Sequence, residues 1–301
     1  MNQSSLRVGV DFGGTKIEIA AIDAENRVVF RKRTPTPSAY MDAIEALRRL
    51  VDDVEGAGVA VSRIGLGHPG SERPDTRRVS GSNTQYLNGA LLRDDLEQSL
   101  KRPVRLANDA DCFALAEARA GAGAGCRNVF GVIVGTGCGG GVVIDGRLLP
   151  AASGAGGEWG HSPLPYMTAE ERAAPPCWCG AHGCMETWVS GPAIAADYAR
   201  HTGTTLSTDA IATKAAAGDA DAQRALDRAA DRLGRGLASI VNVLDPDIVV
   251  LGGGVSNIAA LYEPTLNTLR KRSFTPEPKT RLVKNALGDS AGVIGAAWLW
   301  D

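Results

Sequence analysis

Residues 6–22 read LRVGVDFGGTKIEIAAI. Val8, Val10 and Phe12 alternate on one side of Gly13-Gly14, and Ile17 and Ile19 alternate on the other. Two alternating apolar runs joined by paired glycines predict a β-hairpin. The arrangement returns at residues 128–144, NVFGVIVGTGCGGGVVI. There an apolar strand over 128–134 meets a glycine turn at 135–139 and a second strand at 140–144. Two strand–glycine turn–strand units in one chain predict an internally duplicated α/β fold.

The stretches around these units fill in both halves. A third strand is expected at 28–34, then a helix over 39–56, where Ile44, Leu47, Leu50, Val51 and Val54 fall at helical spacing. A buried strand fits 63–67 and a helix 91–100. A strand at 104–107 and a helix from about residue 111 to 120 follow. Between them, 71–89 is polar and turn-rich, a loop able to carry function. After the second hairpin, residues 149–184 read as irregular. Helices are expected at 192–201, 208–217 and 220–243, the last broken by Asp245-Pro246. A buried strand at 248–251 turns through Gly252–Gly254 toward a helix at 258–272. A short strand at 282–285 and an apolar helix at 292–300 end the chain.

Composition narrows the class. The 301 residues carry 32 Lys+Arg against 34 Asp+Glu, a net charge of −2, which excludes a strongly basic nucleic-acid protein. Apolar residues make up 44% and charged residues 22%, so wholesale disorder is excluded too. No apolar run approaches the ~18 residues that span a bilayer, and the opening MNQSSLRVGV lacks the charge-then-apolar order of a secretion signal. A cytoplasmic protein that binds neither nucleic acid nor membrane is expected. In that reducing setting the six cysteines are not a disulfide framework. Cys177, Cys179 and Cys184 crowd together and point to metal or redox chemistry.

Five motifs carry chemistry. Asp11-Phe12-Gly13-Gly14-Thr15-Lys16 closes a strand; its glycine amides can cradle an anion and Asp11 can hold Mg²⁺ through water, or the turn is a plain hairpin. No Walker or dinucleotide fingerprint is present. Gly135-Thr136-Gly137 repeats the logic, and two such turns can grip one polyphosphate. Gly252-Gly253-Gly254 lets a flat base lie against backbone, or simply turns strand into helix. Asn108-Asp109 follows a strand, where Asp109 can serve as a base and Asx residues also cap helices. Finally, His161 with Cys177, Cys179 and Cys184 can make a tetrahedral zinc site. The Cys-x-Cys spacing is tight, so a reactive or merely buried thiol cluster stays open. Glu158 and Glu186 flank the cluster and can hydrogen-bond a polyol.

Together these residues resemble the ROK family of sugar kinases, within the broader actin-like, Hsp70-type ATPase fold. The resemblance rests on DFGGTK at Asp11, GLGHPG ending at Gly70, NDAD at Asn108, GTGCGGG at Gly135, EWGH at Glu158, CWCGAHGC at Cys177 and DPDIVVLGGG at Asp245. NTQYLNG at 83–89, GHSPLP at 160–165 and the closing GAAWLW look most like bacterial fructokinase and mannokinase members, with N-acetylglucosamine kinases as near neighbours. The resemblance implies ATP with Mg²⁺, a structural Zn²⁺ and direct phosphoryl transfer to the 6-hydroxyl of a free hexose, fructose first and mannose second. It makes Asp109 the general base. Asn108, Glu158, His161 and Glu186 would hold sugar hydroxyls, with Gly70 and Asn83 lining the same cleft. Gly13, Gly14, Thr15 and Lys16 would meet the phosphates from one domain, and Gly135, Thr136 and Gly137 from the other. Gly253 and Gly254 would lie by the adenosine, and Asp11 would support Mg²⁺. His161 would serve zinc through one ring nitrogen and sugar through the other. Phe12 and His68 receive no role.

The same resemblance implies two domains about an interdomain cleft, the smaller over 1–107 with the C-terminal helix at 289–301, the larger over 108–288, and a homodimer. ROK repressors carry a helix-turn-helix ahead of the first glycine motif. About seven residues precede the first strand here, so an enzyme is expected rather than a regulator. A sensor without catalysis is disfavoured by Asp11, Asp109 and both glycine turns.

Overall fold

The computed structural model describes residues 6–301. These residues cluster into two compact units: one runs to Ala124 and takes in Arg147–Gly156 and Leu287–Asp301, the other comprises Gly125–Gly146 and Gly157–Ala286.

The first unit is built on strands β1 (Arg7–Phe12), β2 (Lys16–Ile22), β3 (Val28–Pro35), β4 (Ile64–His68) and β7 (Val104–Asn108), in the order β3-β2-β1-β4-β7. β1 and β2 form the expected hairpin, with Phe12 opposite Ile17. β4 pairs in parallel with β1 and with β7. Helix α1 (Tyr40–Gly56) buries Ile44, Leu47, Leu50, Val51 and Val54, the stripe its spacing prescribes. Helices α2 (Leu92–Leu100), α3 (Asp109–Ala120) and α9 (Ala291–Ala297) complete this unit, with the short strands β5 (Ser71–Glu72), β6 (Val79–Ser80) and β10 (Arg147–Leu148). The expected loop at 71–89 thus carries a small hairpin, Ser71 opposite Ser80.

The last helix lies against the first sheet at van der Waals limits. A Cβ on Gly9 would stand 2.1 Å from the Val293 carbonyl oxygen, and one on Gly65 1.8 Å from that of Ala296. α3 joins the same stack, because a Cβ on Gly295 would fall 1.7 Å from the Cys112 carbonyl oxygen. That packing carries the first unit past residue 107, where the sequence reading drew its boundary, through α3. Residues 147–156 fall there too, with Gly154 against the Glu72 backbone.

The second unit repeats the plan. Its strands β8 (Asn128–Val134), β9 (Cys138–Ile144), β11 (Ile248–Gly252) and β12 (Arg281–Lys284) run β9-β8-β11-β12. β8 and β9 are antiparallel, and β11 is parallel to β8 and to β12. This matches β2-β1-β4-β7 in order and in sense, which is the duplication read from the two glycine hairpins. β9 starts at Cys138, two residues before the expected strand. Cys138 and Gly139 lie in the ladder rather than the turn, and at the next position a Cβ on Gly140 would stand 2.7 Å from Trp159 Cδ1. The unit also holds α4 (Glu186–Val189), α5 (Gly191–Thr202), α6 (Thr208–Ala216), α7 (Ala220–Leu244) and α8 (Tyr262–Arg272). α7 is capped by Asp219, whose side chain accepts from Ala222 N, and ends at Asp245 in the left-handed region. α8 begins four residues later than expected, after two 3₁₀ turns over 254–257 and 259–261. No helix among the described residues is long and apolar enough to cross a membrane.

Candidate functional site

In the first unit, the β1–β2 turn is braced from outside. Gly13 N donates to Lys16 O at 3.0 Å, Thr36 Oγ1 donates to Gly13 O at 2.7 Å, and Thr36 N donates to Thr15 O at 3.0 Å. Gly14 and Thr15 stand exposed and Lys16 is half-buried. A Cβ on Gly13 would lie 2.9 Å from the Lys16 carbonyl oxygen, so only glycine fits. Thr84, next to Asn83, reaches this turn: its Oγ1 is 3.6 Å from where a Gly14 Cβ would be. Asn88 holds that loop by accepting from Ser82 N and donating to Ser82 O.

Asp11 faces Glu18 across the hairpin. Burial above all, and then Glu18, push its carboxyl up to about 6, while Lys16 and Arg33 pull it down. From its ordinary 3.8 up to about 6 the folded chain binds more proton than the unfolded one. Stability from this group therefore falls as pH rises through that window. Asp11→Asn removes the penalty. In protein free of metal and nucleotide it should add about 1–3 kcal/mol at pH 8, with no gain below the ordinary carboxylate range. Thermal unfolding of both forms across pH tests this; an Asp11→Asn protein less stable than the parent at pH 8 would overturn it.

Asn108 does what a cap does. Its Oδ1 accepts from Ala110 N at 2.8 Å, so α3 starts at Asp109, two residues before the expected start. Its Nδ2 donates to Gly70 O at 3.0 Å, which draws the β4 end and the α3 start together. Gly70 has φ of +81°, and a Cβ there would meet Ser80 O at 2.6 Å. Asp109 is exposed and accepts from Ala110 N through Oδ1 at 2.8 Å. Base and cap were alternatives in the sequence; the cap is Asn108, and Asp109 has its carboxylate at the helix N-terminus, where N–H groups favour negative charge. His68, left without a role, is fully buried and stays neutral, since burial pushes its imidazole down to about 4.

In the second unit, Gly135 N donates to Gly137 O at 2.9 Å and Gly191 N to Gly135 O at 2.8 Å. Gly135, Thr136 and Gly254 line one cleft of about 480 Å³ with Gly191, Pro192 and Thr208. The glycine turn and the segment after β11 therefore share one wall. Gly253 supports it: at φ +78° a Cβ there would stand 2.4 Å from the Val134 carbonyl oxygen.

The ligating atoms of His161, Cys177, Cys179 and Cys184 lie within 4.8 Å of one another. Cys177 Sγ is 3.5 Å from His161 Nδ1, and Cys179 Sγ is 3.7 Å from Cys184 Sγ. Three soft thiolate donors and one imidazole in this spread fit a tetrahedral Zn²⁺. Nδ1 is the nitrogen turned to the thiols, leaving Nε2 for another partner. Glu186 opens α4 beside this cluster. Its Oε2 accepts from Cys138 N at 3.0 Å and its Oε1 from Trp178 Nε1 at 2.7 Å. A Cβ on Gly137 would come within 2.7 Å of Glu186 Oε2, so the glycine turn and this carboxylate abut. Glu158 is half-buried, and burial first, then Glu186, raises its carboxyl while His161 lowers it.

The fold thus joins Asn108 to Gly70 in one unit, and Gly137, Glu186 and the Cys/His cluster in the other. Sequence reading gave Trp178 no role, although an aromatic between two metal-type cysteines was a visible signal. Nothing local marks the Cys138 amide as a partner of Glu186. The first unit offers a glycine turn and a carboxylate at a helix start, and the second offers a glycine turn and a hydrogen-bonded carboxylate beside a metal-type cluster.

Comparison with known proteins gives a consistent picture. The ROK family model matches residues 7–301. N-acetyl-D-glucosamine kinase of Aliivibrio salmonicida is 36% identical over 296 residues, covering 97% of this chain and 98% of that protein. Its counterpart from Pectobacterium carotovorum is 37% identical over 298 residues, covering 97% of each. Among solved structures, a ROK hexokinase from Thermus thermophilus superposes with a TM-score of 0.86 at 35% identity, covering 97% of this chain and 96% of that one. A Streptomyces griseus ROK glucokinase, solved with glucose and AMPPNP, gives 0.81 at 29% identity, covering 98% and 99%.

Proposed function

Because this chain belongs to the ROK family and is an ATP-dependent sugar kinase, we propose that it transfers the γ-phosphoryl of ATP to the 6-hydroxyl of N-acetyl-D-glucosamine. The observation that carries the acceptor is full-length identity of 36–37% to kinases of that sugar. Fructose, which the sequence motifs put first, has no support from those relatives and becomes the second acceptor to test, with mannose.

Asp109 takes the proton of the attacking hydroxyl as charge builds on the phosphoryl group. Asn108, Glu158, His161 and Glu186 hold the other hydroxyls, with Gly70 and Asn83 beside them. Gly13, Gly14, Thr15 and Lys16, and Gly135, Thr136 and Gly137, take the phosphates; Gly253 and Gly254 border the adenosine. Asp11 would hold Mg²⁺, which offsets phosphate charge. His161, Cys177, Cys179 and Cys184 would hold Zn²⁺, which ties the irregular segment between Glu158 and Glu186 into one shape. No residue here is required to form a covalent intermediate, because orientation and charge stabilisation suffice for direct transfer.

ADP release from Mg-ATP with N-acetylglucosamine, N-acetylmannosamine, glucose, mannose and fructose tests the reading. The kcat/KM for N-acetylglucosamine should exceed that for fructose by about 100-fold or more, because a site that hydrogen-bonds the amide leaves buried groups unpaired with the wrong sugar. A preference for fructose would restore the first acceptor and keep the kinase.

A further inference from the structure

Trp178 is 57% exposed, yet its indole is fixed at both ends. Its Nε1 donates to Glu186 Oε1 at 2.7 Å. Its ring meets the His161 imidazole edge-on, centroids 4.9 Å apart and planes at 86°. It is the single residue of the Cys177–Cys179 step, so two converging thiols hold its backbone. On the other side Glu186 Oε2 takes the Cys138 amide. The terminal torsion of a glutamate is broad and soft. Two donors from two different segments, one on each oxygen, remove that freedom. Each carboxylate oxygen can accept a second hydrogen bond, so Glu186 keeps acceptor capacity in an orientation set before any ligand arrives.

We propose that Trp178 is a positioning residue for the acceptor sugar: its indole N–H locks Glu186 so that the carboxylate meets a sugar hydroxyl without reorganising. The proposal rests on the reading of Glu186 as a sugar-binding residue. Preorganised hydrogen-bond partners bind more tightly because the ordering cost falls on folding rather than on binding.

Zinc-loaded protein with Trp178→Phe tests it, since phenylalanine keeps an aromatic ring and lacks the donor. The KM for the acceptor sugar should rise about tenfold, the loss of one hydrogen bond to a charged group. The kcat, the KM for ATP and the zinc content should stay at parental values. The decisive measurement is the double variant with Glu186→Gln. If the indole acts through Glu186, adding Trp178→Phe to Glu186→Gln should change the sugar KM little further. An unchanged sugar KM in Trp178→Phe overturns the proposal, as does full additivity in the double variant. Loss of zinc along with affinity also overturns it, by making Trp178 a prop of the metal loop. If Glu186→Gln alone leaves the sugar KM at the parental value while turnover persists, the reading of Glu186 fails and this proposal with it; the kinase assignment stands.

Discussion

Asp109→Asn should lower kcat by about 10²–10⁴-fold, the range that a positioned general base contributes. Binding of sugar and of ATP, measured by calorimetry, should stay within about threefold, because the change is isosteric. The structure says why this substitution isolates chemistry from folding. Asp109 accepts a backbone hydrogen bond from Ala110 N, and an asparagine carbonyl can accept the same bond. The cap of α3 belongs to Asn108 and is untouched. Asparagine cannot take up the proton released when the sugar hydroxyl attacks. Turnover within about tenfold of the parent would remove Asp109 from the base role, the loss being too small for a missing proton acceptor.

The second large effect is expected at the Cys/His cluster. Cys184 is 1% exposed and its Sγ belongs to the four-donor group. The segment from Glu158 to Glu186 has little regular structure to hold it: 3₁₀ turns at Trp159–His161 and Glu170–Arg172, and single bridges from Pro163 to Cys184 and Pro176 to His182. A segment so poor in backbone ladders depends on a cross-link for its shape. Structural zinc supplies about 10–16 kcal/mol in small zinc domains, enough to decide whether such a loop is ordered. Cys184→Ala should bring bound zinc from about one equivalent to near none and cut sugar-dependent turnover by about 100-fold or more. Proteolytic cleavage within 162–183 should appear at the same time. Elemental analysis, the ADP-release assay and limited proteolysis read the three effects. Full activity in chelator-treated, zinc-free protein would sink the structural role of the metal.

Some of this molecule is written in local sequence. The two hairpins are legible because alternation with period two and paired glycines act within a dozen residues. The shared order of the two sheets follows from their repetition. α1 declares its buried face at helical spacing. The four metal-type donors are legible as residue types, since three soft thiols crowd together. Their convergence with His161 is not, because fifteen residues separate it from Cys177 and no local rule fixes the path of an irregular segment.

Other features exist only when the chain is folded. Gly139 looks like part of a turn and pairs with Ile133 in a strand, and Gly140 beside it has no room for a side chain because Trp159 occupies the space. Gly9, Gly65 and Gly295 mark the seat of α9 and its contact with α3, which sequence distance conceals. Asn108 and Asp109 divide the roles of cap and exposed carboxylate by one residue, a choice made by where β7 ends. The Trp178–Glu186–Cys138 chain ties two residues eight apart to a third that lies 48 residues before Glu186. Choice among hexoses lies furthest from the sequence. Such sugars differ by one group, and discrimination depends on the exact placement of a few hydrogen bonds in loops. Sequence alone determined the duplicated fold and its glycine turns, because these follow from backbone periodicity and residue type, and its motifs carried the resemblance to sugar kinases. Tertiary structure alone decided which glycines are packing sites, which carboxylates are held and by what, because those depend on atoms brought together over long chain distances.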